Sequence, residues 1–412
     1  MKKPSLIFLA FAGLLICVGE INGSMFVPDR ADTAVTAAAA AAGKKIAAGN
    51  EAFALDLYSK LKPDGGNLFF SPVGISSAFG MAYDGARGQT AKEIKSVLHF
   101  EADADGVDPS FKALRTGLLD SARKDGQLLD IANGLALEPG SVNDSFKAQV
   151  SRYYNADILP CSAGVINAWV KRKTMGRIEK IIDQLGDKTA CVLLNAVYFK
   201  GTWACPFPKS RTAPAPFYVS ADRKTDVPMM FQSDNMDLVE NSEFQALSIP
   251  YKGGGLSMVI LLPRKKSGLE DLECRLNIRN FNKWLEQLDA VNSTQVNVYL
   301  PKFKLEFDYD LVPEFKKLGL HDSFSSKAAD FSGMCGKVGG LWIDQVKHKT
   351  FVDVNEEGTE AAAVTAINFA PTAAAPMPQK PKEFRADHPF IFLIRDGRTG
   401  TLLFIGRIVD PR

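Results

Sequence analysis

The sequence predicts an α+β fold, and the order of its patterns, its composition and its continuity support that prediction. Patterns typical of helices dominate the first half, whereas dense apolar strands begin near Val192 and continue towards the C-terminus. Helices followed by strands favour α+β over an alternating α/β fold. The 412 residues are 46% hydrophobic and 23% charged, which suffices for a substantial core. No linker-like stretch divides the middle, so we expect one large domain, although length alone would favour two.

The N-terminus has the pattern of a secretory signal peptide. Two lysines near the start precede a short apolar run that ends at Val18, and small and polar residues follow. The run is too short for a comfortable membrane span. We therefore predict a signal peptide at 1–23, cleaved after Gly19 or Gly23. The mature domain at 24–412 is expected to be secreted to the extracellular space.

The first helix and strand are predicted from spacing and turn residues. Ile46, Phe53, Leu57 and Leu61 recur at helical spacing, and a Pro-Asp-Gly-Gly turn follows them. An apolar stretch then reaches Ser71-Pro72, where a strand ends and a helix of small and apolar residues begins. A helix that is apolar on most sides is usually buried, so we expect this one in the core.

Further helices are predicted before the strand-rich part. Thr90 is expected to cap a short helix that runs through Leu98. Amphipathic spacing covers 105–129, and helical spacing covers 146–154 and 165–185.

The strand-rich part contains two dense apolar runs, 192–199 and 256–262. Gly253-Gly254-Gly255 precedes the second run and predicts a hairpin turn, not a phosphate cradle.

Charge and motif content exclude several classes of function. The formal net charge is +2, which gives no support for nucleic-acid or membrane-surface binding. The four histidines are scattered, the six cysteines are widely spaced, and no catalytic or nucleotide-binding motif occurs. We therefore predict a protein that is not an enzyme and that needs no metal or cofactor. Five cysteines would remain after signal cleavage, and we expect most of them to be buried thiols.

Two tripeptides have the form of N-glycosylation acceptors, and they begin at Asn143 and Asn292. Both fit a secreted chain, and we predict glycans on these two asparagines.

One segment near the C-terminus combines polar, flexible and small residues. It consists of Glu356, Glu357, Gly358, Thr359, Glu360, Ala361, Ala362, Ala363, Val364 and Thr365. Such residues can form an exposed loop, and the small and β-branched ones also fit between existing strands. The segment therefore suggests a switch between loop and strand, and it resembles the hinge of the serpin family of serine protease inhibitors.

The resemblance covers about residues 46–411 and is carried by blocks that occur in order. The blocks include Asn67 to Pro72, Ile166 to Val170, Leu194 to Trp203, Ile249 to Tyr251, Leu300 to Phe303, Val346 to Thr350 and Ala386 to Phe390. The resemblance implies a serpin fold, in which helices pack around three β-sheets. It also implies an exposed reactive-centre loop at about 356–383.

In serpins the central sheet parts at a region called the shutter, which the resemblance assigns to Ser71, Asn195 and His348. These small or planar groups can exchange hydrogen-bond partners without leaving a buried group unpaired. The chain departs from the family at Gly74, where a second serine is common. The lost donor is expected to weaken the shutter.

The top of the sheet, called the breach, is matched by Gly201, Trp203, Lys302 and Glu356. Lys302 and Glu356 resemble a salt bridge that holds the hinge in its loop form.

The resemblance implies an inhibitor that traps its target serine protease, the expected partner, as a covalent acyl-enzyme. Its cleaved loop would insert into the central sheet, and we predict a monomer. A non-inhibitory member that acts as a carrier, chaperone or storage protein is the alternative. The hinge favours inhibition, because Thr359, Ala361, Ala363 and Thr365 alternate on one face and are all small.

The scissile bond is predicted at Thr372-Ala373, which is sixteen residues after the first hinge glutamate, as is usual in inhibitory serpins. Counting back from the block at Ala386 places the bond nearer 375–378, so the loop is longer than in common members. We favour the first count, because insertion length is set on the hinge side. Thr372, Ala373 and Ala374 suit a shallow, elastase-like pocket better than a trypsin-like one.

A basic cluster admits a glycosaminoglycan site, and it consists of Lys171, Arg172, Lys173, Arg177 and Lys180. Acidic residues interleave with the cluster and no aromatic platform is evident, so a solvated helix face is the favoured interpretation.

Overall fold

The computed structural model describes residues 30–62, 65–138, 140–186, 189–359 and 380–412, with side chains from Gly43 onwards. Contacts divide the chain into two compact units, Met1–Ala38 and Ala39–Arg412. Of the first unit only the start of a helix is described, and the predicted signal peptide lies outside the described residues. No helix within the described residues is long and apolar enough to cross a bilayer.

Helices occupy most of the first part of the described chain. They are α1 Arg30–Leu61, α2 Pro72–Gly85, α3 Gly88–Val97, α4 Ala104–Lys124, α5 Asp144–Tyr154, α6 Ala163–Lys173, α7 Leu269–Cys274, α8 Ile278–Ala290, α9 Val312–Leu318 and α10 Ser332–Cys335. Short 3-10 helices lie at Lys209–Arg211 and Asp322–Phe324.

Strands dominate the second part. They are β1 Leu68–Phe70, β2 Leu128–Leu137, β3 Asp157–Pro160, β4 Cys191–Thr202, β5 Ala213–Tyr218, β6 Lys224–Glu240, β7 Phe244–Pro250, β8 Leu256–Pro263, β9 Thr294–Pro301, β10 Phe303–Asp310, β11 Gln345–Asn355, β12 Gly358–Thr359, β13 Lys382–Arg385, β14 Phe390–Asp396 and β15 Leu402–Ile408. The predicted α+β class is confirmed.

Six strands form a sheet, here called sheet A, in the order β10-β11-β12-β4-β2-β3. β4 and β11 run parallel and pair directly from Gln345↔Val192 to Phe351↔Tyr198. Above these pairs the short β12 lies between the two strands. We call the boundary between β4 and β11 the seam.

The remaining strands form two smaller sheets that share β6. The strand order across both sheets is β1-β15-β14-β8-β7-β6-β9-β13, and β5 also pairs with β6. Residues 229–236 of β6 pair with β9, whereas residues 237–240 pair with β7. Sheet A and these two sheets are the three sheets of the predicted fold.

Both faces of sheet A are covered. Helix α2 packs in the main core, where 13 of its 14 residues are buried, as the sequence predicts. A second apolar cluster packs against strands β2 and β4 and is formed by α6 and the segment that follows α6. It includes Ile166, Trp169, Ile178 and Leu194. A strand that enters the seam therefore enters a sheet that is packed on both sides.

Two helix predictions are wrong. The helix expected over 165–185 ends at Lys173, because Met175 and Gly176 adopt positive φ values of 51° and 80°. Helix α3 begins after Arg87, and Thr90 does not cap it. Instead the Thr90 hydroxyl accepts the backbone N–H of Asp330 at 3.0 Å.

The expectation for the cysteines is also wrong. All five described cysteines are free, but Cys191 alone among them is buried. Cys161 and Cys335 are half-buried, and Cys205 and Cys274 are exposed. Strand β2 was not predicted, because its apolar residues directly follow the amphipathic pattern of α4.

Candidate functional site: hinge, breach and shutter of sheet A

The hinge begins inside sheet A. Thr359 lies opposite Val354 of β11 and opposite Gly201 of β4. Its side chain is fully buried, and its hydroxyl lies 2.6 Å from the hydroxyl of Tyr251. The other predicted hinge residues from Glu360 to Thr365, and the predicted reactive bond Thr372-Ala373, lie outside the described residues. The top of the seam thus already holds the first strand residues of the hinge.

Two glycines make room for this short strand. Gly358 has φ 153°, and a Cβ atom there would collide with the carbonyl oxygen of Gly201. A Cβ atom on Gly201 would lie 2.5 Å from the Phe199 ring and 2.7 Å from the Tyr251 ring. Neither contact distance is compatible with a real side chain, so both positions require glycine for the strand to enter.

Trp203 is the buried centre of the breach. Its indole Nε1–H donates to the carbonyl of Asn355 at 3.0 Å, and its backbone N–H donates to the carbonyl of Glu357 at 3.0 Å. Its ring stacks on Tyr251, with centroids 4.6 Å apart. Trp203 therefore connects the end of β11 and the hinge to Tyr251, which is the residue that contacts Thr359.

Charged groups hold the two hinge glutamates. The Glu356 carboxylate accepts hydrogen bonds from Lys302 Nζ and from the Thr212 hydroxyl, each at 2.9 Å. Burial would raise the pKa of Glu356, but these hydrogen bonds outweigh it and lower the pKa below its ordinary value. Glu357 pairs with Lys209 at 2.5 Å. The structure thus brings Lys302 and Glu356 together as an ion pair.

The three predicted shutter residues form one buried chain of hydrogen bonds. The backbone N–H of Ser71 donates to His348 Nε2 at 3.0 Å, and His348 Nδ1 lies 2.9 Å from Asn195 Oδ1. Because Nε2 accepts, Nδ1 carries the proton and donates to Asn195. Burial lowers the pKa of His348 to about 3, so the ring is neutral at physiological pH.

Sequence analysis missed two further members of this network. The Asn195 amide donates to Asn133 Oδ1 at 2.9 Å, and the Asn133 amide donates to the Ser77 hydroxyl at 2.8 Å. Asn133 lies on β2 and Ser77 on α2, so with Asn195 on β4 and His348 on β11 the network connects four elements around the seam. A lone asparagine inside the apolar run of β2 was the signal that could have revealed it.

Gly74 does not leave the shutter short of a donor. Asn195 Oδ1, the atom that would lie nearest to a side chain at this position, already accepts from His348. A Cβ atom on Gly74 would collide with Asn195 Oδ1 and would lie 2.5 Å from Val197 Cγ2. The expected weakening is therefore not supported, because the network leaves no space for a side chain here.

The predicted glycosylation sites differ in their surroundings. Asn143 is exposed, but it caps α5, where its Oδ1 accepts the N–H of Phe146 at 2.8 Å and its amide donates to Gly333 at 3.1 Å. Asn292 is exposed between α8 and β9.

The basic cluster carries acidic partners. Lys171 pairs with Glu179 at 3.4 Å, Lys173 with Asp157 at 2.8 Å, and Lys180 with Asp183 at 2.5 Å. These pairs agree with a solvated surface. Among the described residues there is no group of three or more His, Cys, Asp or Glu side chains that could hold a metal ion.

Comparisons with known proteins agree with this geometry. The family model described as serpin (serine protease inhibitor) matches residues 48–411. Leukocyte elastase inhibitor from Homo sapiens is 38% identical over 390 residues, which cover 89% of this chain and all of that protein.

Two solved structures have the same fold. Serpin48 of the insect Tenebrio molitor has a TM-score of 0.78 and 32% identity, covering 89% of this chain and 98% of that one. Human thyroxine-binding globulin has a TM-score of 0.79 and 27% identity, covering 90% and 99% respectively. The chain belongs to the serpin family.

Proposed function

We propose that this protein inhibits serine proteases by suicide trapping and is not itself an enzyme. The protease serine attacks the carbonyl carbon of Thr372, Ala373 departs as the new amino terminus, and an ester joins the two proteins. The freed hinge then inserts between β4 and β11 and drags the protease with it. The observation that carries the proposal is the buried Thr359, because insertion has a strand from which to continue.

The pairing of Thr359 sets the register that a longer strand would follow. Because Thr359 lies opposite Gly201 and Val354, the residue six positions later would lie opposite Asn195 and His348. That residue is Thr365. Asn195 and His348 now face each other across the closed seam, and they must part when a strand enters. A threonine hydroxyl between them would replace the hydrogen bond that they lose.

A non-inhibitory role is the competing function in this family. Thyroxine-binding globulin has the same fold and a name that states a different role. The small residues at Ala361, Ala363 and Thr365 favour insertion, because they share the inward face of Thr359 in the register above.

The test is incubation of the full chain with a panel of elastase-like, chymotrypsin-like and trypsin-like proteases. We expect an SDS-resistant complex with an elastase-like enzyme, and mass spectrometry should map the cut to Thr372-Ala373. The same protease with its catalytic serine replaced by alanine is the control and should form no complex. If every protease cleaves the loop and stays active, the inhibitor proposal is wrong.

Target choice and location are also proposals. Two observations favour an elastase-like target: the name of the relative, leukocyte elastase inhibitor, and the small residues around Thr372. Thr372→Arg should shift the inhibition rate towards trypsin-like enzymes, because a pocket built for a cation binds threonine poorly. We further propose secretion, and the mature protein recovered from medium should begin after Gly19 or Gly23.

A further inference from the structure

The foot of the seam is held by a carboxylate that the proposed mechanism does not use. Asp344 lies immediately before β11, and its Oδ2 accepts the backbone N–H of Ala190 at 2.5 Å and of Cys191 at 3.2 Å. Its own backbone N–H donates to the carbonyl of Cys191 at 2.9 Å. Its Oδ1 accepts the indole N–H of Trp342 at 2.8 Å. We call the contacts of Asp344 with Ala190 and Cys191 the foot clamp.

The foot clamp joins the two strands that loop insertion must separate. Cys191 is the first residue of β4 and Ala190 precedes it, whereas Asp344 immediately precedes β11. Directly above them the parallel pairs of the closed seam begin with Gln345↔Val192. A seam that opens from β12 downwards therefore reaches the foot clamp last.

The register of β12 shows when the foot clamp would break. Thr359 lies opposite Gly201, so a strand that continued in this register would reach Cys191 ten residues later. That position is 369, and the proposed scissile bond at Thr372 lies three residues further along the sequence. Partial insertion therefore leaves the clamp intact, whereas insertion up to the reactive bond requires it to open.

We propose that Asp344 is a positioning residue that keeps the foot of the seam closed in the uncut protein and so slows spontaneous insertion of the intact loop. The inference rests on the proposed function. Hydrogen bonds from N–H groups to a carboxylate are roughly twice as strong as neutral ones. A strand inserted as far as position 369 separates Asp344 from Ala190 and Cys191, so the clamp exists only in the closed seam and stabilises that state selectively.

The experiment compares Asp344→Ala and Asp344→Asn with a matched control, Glu93→Ala. Glu93 Oε2 also accepts two consecutive backbone N–H groups, those of His321 and Asp322, at 2.8 and 2.9 Å. It does so between α3 and a 3-10 helix, away from the seam. Each full-length, uncut variant is incubated at moderately raised temperature. Conversion to a heat-resistant uncut form is followed on urea-gradient gels, and remaining protease complex formation is measured in parallel.

We expect Asp344→Ala to convert about tenfold faster than the unmodified protein. Asp344→Asn should convert at an intermediate rate, because its amide oxygen still accepts but carries no charge. Glu93→Ala should lose stability in urea but convert at the unmodified rate. The Asp344→Asn variant keeps the test decisive if Asp344→Ala fails to fold.

Two outcomes separate this inference from the proposed function. If the unmodified protein traps a protease but both Asp344 variants convert at the Glu93→Ala rate, the clamp is overturned and the inhibitor proposal survives. If the unmodified protein traps no protease but Asp344→Ala still converts faster, the clamp stands and the inhibitor proposal fails. An absence of both effects overturns both.

Discussion

At the breach, sheet A is stabilised by ion pairs whose lysines reach solvent. At the shutter, six residues before Gly201 on β4, the sheet is stabilised by neutral, buried groups. Lys302 and Lys209 have side chains 38% and 70% exposed. His348 and Asn133 have no exposed surface, and Asn195 is 2% exposed. The same seam therefore has a solvated end and a dry centre.

The difference assigns the two regions different parts in opening. Ion pairs at a solvated edge can exchange partners with water at small cost, usually about 1 kcal/mol or less. A buried neutral network cannot open in this way, because each unpaired group costs about 1–3 kcal/mol. The breach therefore admits the strand, and the shutter stays closed until the strand supplies new partners.

The largest effect is expected from a charge placed in the breach. Thr359→Arg puts a cation where the buried hydroxyl now contacts Tyr251, at a cost of several kcal/mol by rough estimate. The variant should be cleaved as a substrate without trapping the protease. Thr359→Ser is the control and should still form complex, because it keeps the hydroxyl. Complex and cleaved bands on SDS gels measure the ratio, and undiminished trapping by Thr359→Arg would contradict insertion at this site.

The shutter should make the protein sensitive to acid. Burial lowers the pKa of His348 from 6.5 to about 3. Between these values the unfolded chain binds a proton that the native state excludes, so stability present above pH 6.5 is lost as pH falls towards 3. The loss is up to roughly 5 kcal/mol. His348→Gln should flatten the dependence of the urea midpoint on pH in this range.

The pH comparison must be made between variants, because other buried acids act in the opposite direction. Burial raises the pKa of Asp108 and of Glu51 to about 7, so their contributions fall as pH rises through the same range. Asp108 and Glu51 are present in both the His348→Gln variant and the unmodified protein. Their contributions therefore cancel when the two pH curves are compared. Parallel curves for His348→Gln and the unmodified chain would contradict a neutral buried histidine.

A smaller effect is expected at Gly74. Gly74→Ser restores the residue that is common in the family, but its Cβ would collide with Asn195 Oδ1. We expect a loss of about 1–3 kcal/mol in the free energy of unfolding, because the packed shutter must shift. Gly164→Ser on α6 is the control, since no atom lies within 4 Å of the added carbon. A stabilising Gly74→Ser would show that the shutter lacks a donor after all.

The smallest effect is expected at the solvated end. Lys302→Ala removes the ion pair with Glu356, which keeps its hydrogen bond from Thr212. The cost should be about 1 kcal/mol and should shrink at high salt. Melting curves at two salt concentrations test this, and inhibition should persist. If Lys302→Ala lost as much stability as the acid titration of His348 removes, the contrast between breach and shutter would be wrong.

Much of the fold was predictable because the signals are local. The helical spacing of Phe53 and Leu57, the turn at Ser71-Pro72 and the apolar run of β4 each reflect the backbone preferences of neighbouring residues. The end of α6 was missed because Met175 takes a left-handed conformation that is rare outside glycine. Strand β2 was missed because its pattern merges with that of α4.

The sequence by itself determined the residue types at the seam: a small, β-branched Thr359, a serine, an asparagine and a histidine for the shutter, and a lysine and a glutamate for the breach. Tertiary structure alone decided that β12 is already in the sheet, that Asn133 completes the shutter, that Gly74 has no space, and that Asp344 closes the foot. The partners in these contacts lie between 62 and 158 residues apart in the sequence. Strand register, burial and free volume arise only when such distant segments pack together, and no local pattern encodes them.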